Sequence, residues 1–349
     1  MFTKQMTPAP DRTPNENSEV KLQRAVSVWN DSGGVGKTTL TINTAEALSR
    51  QGNDVLVIDL DSQAGGLTDH AGYEAARQHP EYNLVDVLLV ADRSLEDIII
   101  PADADGGLNW DLIPAHEDLS DFGERVAFNL SPDEEPMLQL RRNIETAGLH
   151  RKYDYILLDC QASRGRIIDN AIGATLNVVI PTEGTRKGAR AVDGLVNYVS
   201  ERQRDLRNAS GLPNDISTGV ISIIPNELAK NGQLSTNEQA ALEHLFREHP
   251  SLMTPFYIPS REAMKSAWTA QKTLLEYFDE EDNRSPRPNE NTLPEMFEAV
   301  ATFLETGHVT PVSETLQNIP LTLTPDDKSS HAISTSESRE QAATPEGQP

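Results

Sequence analysis

The 349-residue sequence has a single cysteine, Cys160. That excludes an intrachain disulfide framework and any cluster that draws several cysteines from one chain. Aromatic residues make up 5% and apolar residues 37%, with a mean hydropathy of −0.48. A core can form on that supply only if the apolar residues are concentrated in part of the chain. No run approaches the roughly 18 consecutive apolar residues that a membrane-spanning helix needs. The first 23 residues are rich in Thr, Pro and Asn and lack the hydrophobic stretch of a signal peptide, so the cytoplasm is the expected compartment. Positive charge is scarce as well: 54 acidic residues face 30 basic ones, a formal charge of −24. Of the basic residues 21 are Arg and nine are Lys. An acidic excess with Arg over Lys fits a chain adapted to high salt; the alternative is an acidic protein with disordered acidic ends. Charge of this size bears on solubility and association rather than on fold. The eight His residues are scattered without metal-ligand spacing.

Three zones are visible. Residues 1–23 are polar and read as a disordered leader, and 308–349, rich in Ser, Thr, Pro and Glu, read as a disordered acidic tail. Neither can bury enough surface to offset the entropy of ordering. Residues 24–307 form the expected folded domain. Apolar runs there predict strands at Ala25–Trp29, Asp54–Leu60, Leu108–Ile113, Tyr153–Leu158, Asn177–Ile180, Gly219–Ile224 and Pro255–Ile258. Runs such as Val55-Leu56-Val57-Ile58 suit strands buried on both faces. Helical patterns fall between them at Thr38–Gln51, Met137–His150, Lys187–Arg207, Thr236–His249 and Pro294–Glu305. This alternation predicts an α/β fold, a doubly wound, mostly parallel sheet flanked by helices, with ligands at the carboxyl ends of the strands.

The sharpest motif is Gly33-Gly34-Val35-Gly36-Lys37-Thr38-Thr39, between a predicted strand and a predicted helix. Glycines let consecutive backbone N–H groups turn inward onto phosphate oxygens, and the next helix adds its positive end. Lys37 would neutralise the terminal phosphates and the Thr38 hydroxyl would ligate Mg²⁺. The strict eight-residue form of this loop wants a glycine where Asp31 stands, so the loop is a variant. Asp61 follows at the end of the second strand, in Asp59-Leu60-Asp61-Ser62-Gln63, where a carboxylate can position attacking water or hold the magnesium shell. Asp59 reads as its structural neighbour. A later strand ends Ile156-Leu157-Leu158-Asp159, the usual shape of an aspartate that contacts Mg²⁺ through water.

These motifs, with Leu112-Ile113-Pro114 and the late segment Tyr257-Ile258-Pro259, Ala267, Lys272 and Leu275-Glu276-Tyr277, resemble the ParA/MinD superfamily of deviant-Walker ATPases. Within it the resemblance is to ParA-type plasmid and chromosome partition ATPases, over about Arg24 to Tyr277. It implies ATP and Mg²⁺ as ligands, an ATP-dependent homodimer, non-specific DNA contact and a centromere-binding partner protein. It also implies an adenine-facing role for Asn226. Relatives with iron–sulfur clusters need paired cysteines, which this chain lacks. Those held on membranes need a basic amphipathic C-terminal helix, which the tail does not offer.

The sequence departs from the family pattern in three places. The signature lysine that reaches across the dimer is replaced by Ser32, preceded by Asp31; a Pro-Pro pair is replaced by Gln161 and Ala162; and a middle Pro by Ser62. Phosphate binding should survive, but a cation for the partner's nucleotide must come from elsewhere or turnover will be slow. Arg164 and Arg166 are the candidates, with Arg186 and Lys187 next. Candidate DNA contacts are Arg190, Arg261 and Lys265. With no helix-turn-helix or zinc pattern, and a charge of −24, any DNA contact must be local and sequence-independent. The rival readings are a nucleotide-dependent switch that positions a protein cargo without DNA, and a binding module with little hydrolysis.

Overall fold

Every apolar run predicted as a strand becomes one. The computed structural model describes residues 24–306 apart from 79–81, 90–91, 103–106, 132–133, 209–218, 231–232 and 281–291; the expected leader and tail lie outside the described residues. The strands are β1 (Ala25–Val28), β2 (Val55–Leu60), β3 (Asp111–Ile113), β4 (Tyr155–Cys160), β5 (Asn177–Glu183), β6 (Gly219–Leu228) and β7 (Ile258–Pro259). They form one sheet in the order β3-β2-β4-β1-β5-β6-β7, with every pairing parallel. The chain winds outward from β1 in one direction through β2 and β3. After β4 it crosses β1 and winds the other way through β5, β6 and β7. The segment leaving β1 therefore sits at the point where the winding reverses, where such sheets bind ligands.

Side chains alternate across the sheet, and helices cover both faces. Tyr155 and Leu157 of β4, with Val26, Val55 and Val57, meet α1 (Lys37–Arg50) and α13 (Thr292–Thr306) through Leu40, Leu48, Phe297 and Val300. Ile156 and Leu158, with Leu56 and Ile58, face the other layer. That layer includes α4 (Leu84–Leu89), α5 (Phe122–Asn129), α6 (Gln139–Thr146), α8 (Arg166–Thr175) and α9 (Arg186–Asn208). A fully buried side chain of this size is worth about 1.5–3 kcal/mol relative to exposure, which is why continuous apolar strands are held between layers.

Helix boundaries correct the sequence in places. The helix expected over Met137–His150 is two, α6 and α7 (Leu149–Lys152), because Gly148 takes a left-handed φ of 68° between them. α8 was not anticipated, although Ile167, Ile168, Ala171 and Ile172 repeat at helical spacing; Gly165 and Gly173 obscured it. Helices α4 and α5 and the short α2 (Leu67–His70), α3 (Glu74–Gln78), α11 (Glu262–Thr269) and α12 (Leu274–Asp279) were missed as well. α10 (Thr236–Glu248) begins one residue after Ser235, whose hydroxyl accepts from the Glu238 N–H in a capping box that also stops it from starting earlier.

Candidate nucleotide site

The chain leaving β1 is pinned on both sides before it turns. Trp29 Nε1 donates to the Ser163 carbonyl at 2.9 Å, and Asn30 Nδ2 donates to the Pro181 carbonyl at 2.8 Å. Asn30 Oδ1 then accepts from the Ser32 N–H at 2.9 Å and starts the turn. The loop ends at Gly36, the N-cap of α1, whose φ of 82° favours a residue without Cβ. A Cβ there would stand 2.0 Å from Asn226 Nδ2. Asn226, buried at the end of β6, donates instead to the Val35 carbonyl at 3.0 Å and seats the loop from beneath. No side chain caps α1 and its first turn carries no acid. Its leading N–H groups and positive end are thus left to an anion.

Lys37 is buried at the loop, with Nζ donating to the Ser32 carbonyl at 2.9 Å. Burial draws its pKa below the ordinary lysine value, while Asp159 and Asp61 pull it back up. The Thr38 hydroxyl donates to Asp159 Oδ2 at 2.7 Å, and the Thr41 hydroxyl lies 3.3 Å from Oδ1. Asp59 and Asp159 are register partners on adjacent strands. Burial, then the neighbouring Asp59 charge, raises the Asp159 carboxyl to about 8. Burial likewise raises Asp59 to about 6. Asp59 is occupied as a tether. It accepts from the Asp61 N–H at 3.0 Å, the Thr68 N–H at 2.9 Å and the Thr68 hydroxyl at 2.6 Å, and that hydroxyl accepts from the Ala115 N–H. The loop bearing Asp61 is so tied back to the ends of β2 and β3.

Lys37, Thr38 and Asp61 line one cavity of about 300 Å³, whose walls also include Gly34, Thr39, Glu227 and Trp268. A second cavity of about 380 Å³ shares Glu227 and continues past Glu183, Thr185 and Lys230. The structure thus brings Gly33, Gly34, Gly36, Lys37, Thr38, Thr39 and Asp61 to one wall set, with Asp159 behind Thr38 and Val35 bound to Asn226. An oxygen set made of a hydroxyl and carboxylates suits a hard divalent cation such as Mg²⁺. Sequence reasoning missed Trp268, which stacks on buried His70 with centroids 4.1 Å apart. Nothing local to α11 signals that its tryptophan reaches a loop 200 residues earlier.

The other candidates separate. Arg164 pairs with Asp31 at 2.8 Å beside the loop. Arg166 is the first residue of α8 and packs along Gly123, with Asp169 at 3.9 Å. Arg261 Nη1 donates to the Ala229 and Ser260 carbonyls, both at 2.8 Å, and so braces β6 against the start of α11. Arg190 on α9 and Lys265 on α11 are exposed. Cys160 is buried beside Asp159, and burial pushes its thiol up, which fits an inert core residue. Among the described residues no helix is long and apolar enough to cross a membrane.

A protein-family model described as an AAA domain matches residues 23–210, more than half of the chain. The chain is 33% identical over 185 residues to the sporulation initiation inhibitor protein Soj of Bacillus subtilis, a match covering 53% of this chain and 68% of Soj. It is 30% identical to an uncharacterised Mycobacterium tuberculosis protein over 54% of this chain and 57% of that one. The fold matches an ATP complex of a Cyanothece McdA variant with a TM-score of 0.64 at 23% identity, covering 82% of this chain and 98% of McdA. With the seven-stranded parallel sheet and the loop after β1, these matches decide the family: the chain belongs to the ParA/MinD superfamily of P-loop ATPases.

Proposed function

We propose that the protein is an ATP-hydrolysing partition or positioning ATPase that works through an ATP-dependent homodimer. The carrying observation is the convergence of Lys37, Thr38, Asp61 and Asp159 on one phosphate-receptive loop. Lys37 and the N–H groups of Gly33 to Thr39 bind and orient the phosphates. Thr38, Asp61 and Asp159 are the residues that would hold Mg²⁺, which when bound neutralises phosphate charge. Asp61 lines the cavity on the side of the loop after β2, and its carboxylate orients the attacking water. The cavity past Glu227 takes the base and sugar. Asn226 serves that end by seating the loop; contact with adenine would require it to share its bond to Val35.

The dimer follows from the family reading; Ser32 lacks the charge that the family's lysine carries across it, and Arg164 stands at the loop's edge to supply that charge instead. DNA contact is assigned to Arg190 and Lys265, which are exposed; Arg261 is engaged with backbone carbonyls and is assigned to support. A DNA-bound partner protein of the centromere-binding kind follows from the same reading. Calorimetric titration with Mg–ATP tests the site. Lys37→Ala should abolish detectable binding, and unchanged affinity would remove the assignment. Mobility shift of non-specific duplex with and without ATP tests the DNA arm; no shift in either state would favour cargo positioning without DNA.

A further inference from the structure

Asp31 places a carboxylate at the mouth of a loop built for anions, and its own charge opposes the ligand. Arg164, from the segment after β4, meets that charge with two donors: Nε and Nη2 lie 2.9 and 2.8 Å from the same oxygen, Oδ2. An ordinary exposed ion pair of this kind is worth about 0–1 kcal/mol and does not fix a long side chain by itself. Here the guanidinium also lies over the Tyr198 ring, 5.2 Å from its centroid. Nη2 runs so close to α9 that a Cβ on Gly194 would come within 3.6 Å of it. Tyr198 is itself held, its hydroxyl donating to buried Asp169 at 2.6 Å and its ring 5.3 Å from buried Trp29. The segments after β1 and after β4 and helix α9 therefore converge on one half-exposed arginine. A charge pair that merely balanced local acids would not need that platform.

We infer that Asp31 is a positioning residue, holding Arg164 at the edge of the phosphate loop so that the guanidinium supplies the nucleotide's terminal phosphate with the positive charge missing at Ser32. The inference rests on the ATPase reading above. Asp31 and Ser32 are adjacent, so a cation clasped to Asp31 starts from the same edge of the loop as a lysine at position 32 would. The family's cation is restored through space, from a segment more than 130 residues away in sequence.

The test is single-turnover hydrolysis, with nucleotide affinity measured in parallel, on the full chain. The set is wild type, Asp31→Ala, Asp31→Glu, Arg164→Ala, and each alanine variant combined with Ser32→Lys. A transition-state cation is worth about 10³–10⁵ in rate, and misplacing a group by about 1 Å costs about 10². Arg164→Ala should thus lose about 10³-fold or more and Asp31→Ala about 10²-fold, both with affinity within about threefold of wild type. Asp31→Glu should retain most of the rate, and Ser32→Lys should restore hydrolysis in both alanine backgrounds. An Asp31 that only stabilised the fold would lower affinity and melting temperature and would not be rescued by a lysine next door. Wild-type turnover in Asp31→Ala overturns the inference, as does a loss that Ser32→Lys leaves unrepaired. A wild-type protein that binds Mg–ATP and never hydrolyses it overturns the ATPase reading instead, so the two failures are distinct.

Discussion

Gly36→Ala should weaken nucleotide binding far more than its one methyl group suggests. At a φ of 82° an L-residue costs roughly 1–2 kcal/mol. The new Cβ would also stand 2.0 Å from Asn226 Nδ2, so the amide must leave. That breaks its 3.0 Å bond to the Val35 carbonyl and strands buried polar groups, at about 1–3 kcal/mol. Together, roughly 2–5 kcal/mol weigh against the phosphate-receptive shape of the loop. If that shape is the one that binds, affinity falls by about 30-fold to several thousandfold. Titration with a fluorescent ATP analogue and Mg²⁺ reads this directly. The double variant Gly36→Ala with Asn226→Ala sharpens it, because removing the amide relieves the clash and leaves the strain, the Val35 carbonyl and the Glu227 N–H without their partner. It should bind more tightly than Gly36→Ala alone, a coupling that independent sites would not show. Affinity within threefold of wild type for the single variant, or a double variant weaker still, would refute the reasoning.

Asp61→Ala should keep detectable Mg–ATP binding, because Lys37, Thr38 and Asp159 remain, and lose about 10²-fold or more in hydrolysis, since its carboxylate also orients water; normal turnover would move the role to Asp159. The raised carboxyls give the pH dependence its sign. A carboxyl held up at about 8, as at Asp159, contributes stability that is complete below its ordinary value of 3.8 and is lost as pH rises through 8. Asp59 acts the same way around 6. The melting temperature of nucleotide-free protein should therefore fall between about pH 4 and 8 by the contribution of these two groups. Mg–ATP, which requires ionised Asp159, should stabilise more at pH 8.5 than at pH 6; the opposite order would contradict the assignment. Finally, Trp268 lines the cavity while Trp29 and Trp110 are buried. ATP should change the tryptophan emission of wild type, and Trp268→Phe should lose most of the change.

Strands and the phosphate loop were readable because each is written locally. A parallel strand buried on both faces is a continuous apolar run, and the loop needs glycines and a lysine at fixed spacing. Asp61 and Asp159 followed because each ends such a run. What escaped was fixed by contacts distant in sequence. Helix α8 carries its apolar spacing between two glycines, and α11 is too short to show a period. The stacking of Trp268 on His70, and the pairing of Arg164 with Asp31, join segments about 200 and 133 residues apart. The resemblance named Asn226, but only the structure reveals that its amide carries the loop; the Gly36 beside it states half of that contact and nothing in β6 states the other.

The same distance has a consequence for the order in which the protein is made. Synthesis delivers the phosphate loop well before its seat, Asn226, and its wall, Trp268, which follow roughly 190 and 230 residues later. Leu40 and Leu48 on α1 pack on the sheet, but their cover is complete only when Phe297 and Val300 emerge on α13. Domains generally form as units during synthesis, at about 5–20 residues per second. A growing chain thus carries the loop for many seconds without the parts that shape it for phosphate. Competence to bind nucleotide therefore waits on residues made well after the loop itself.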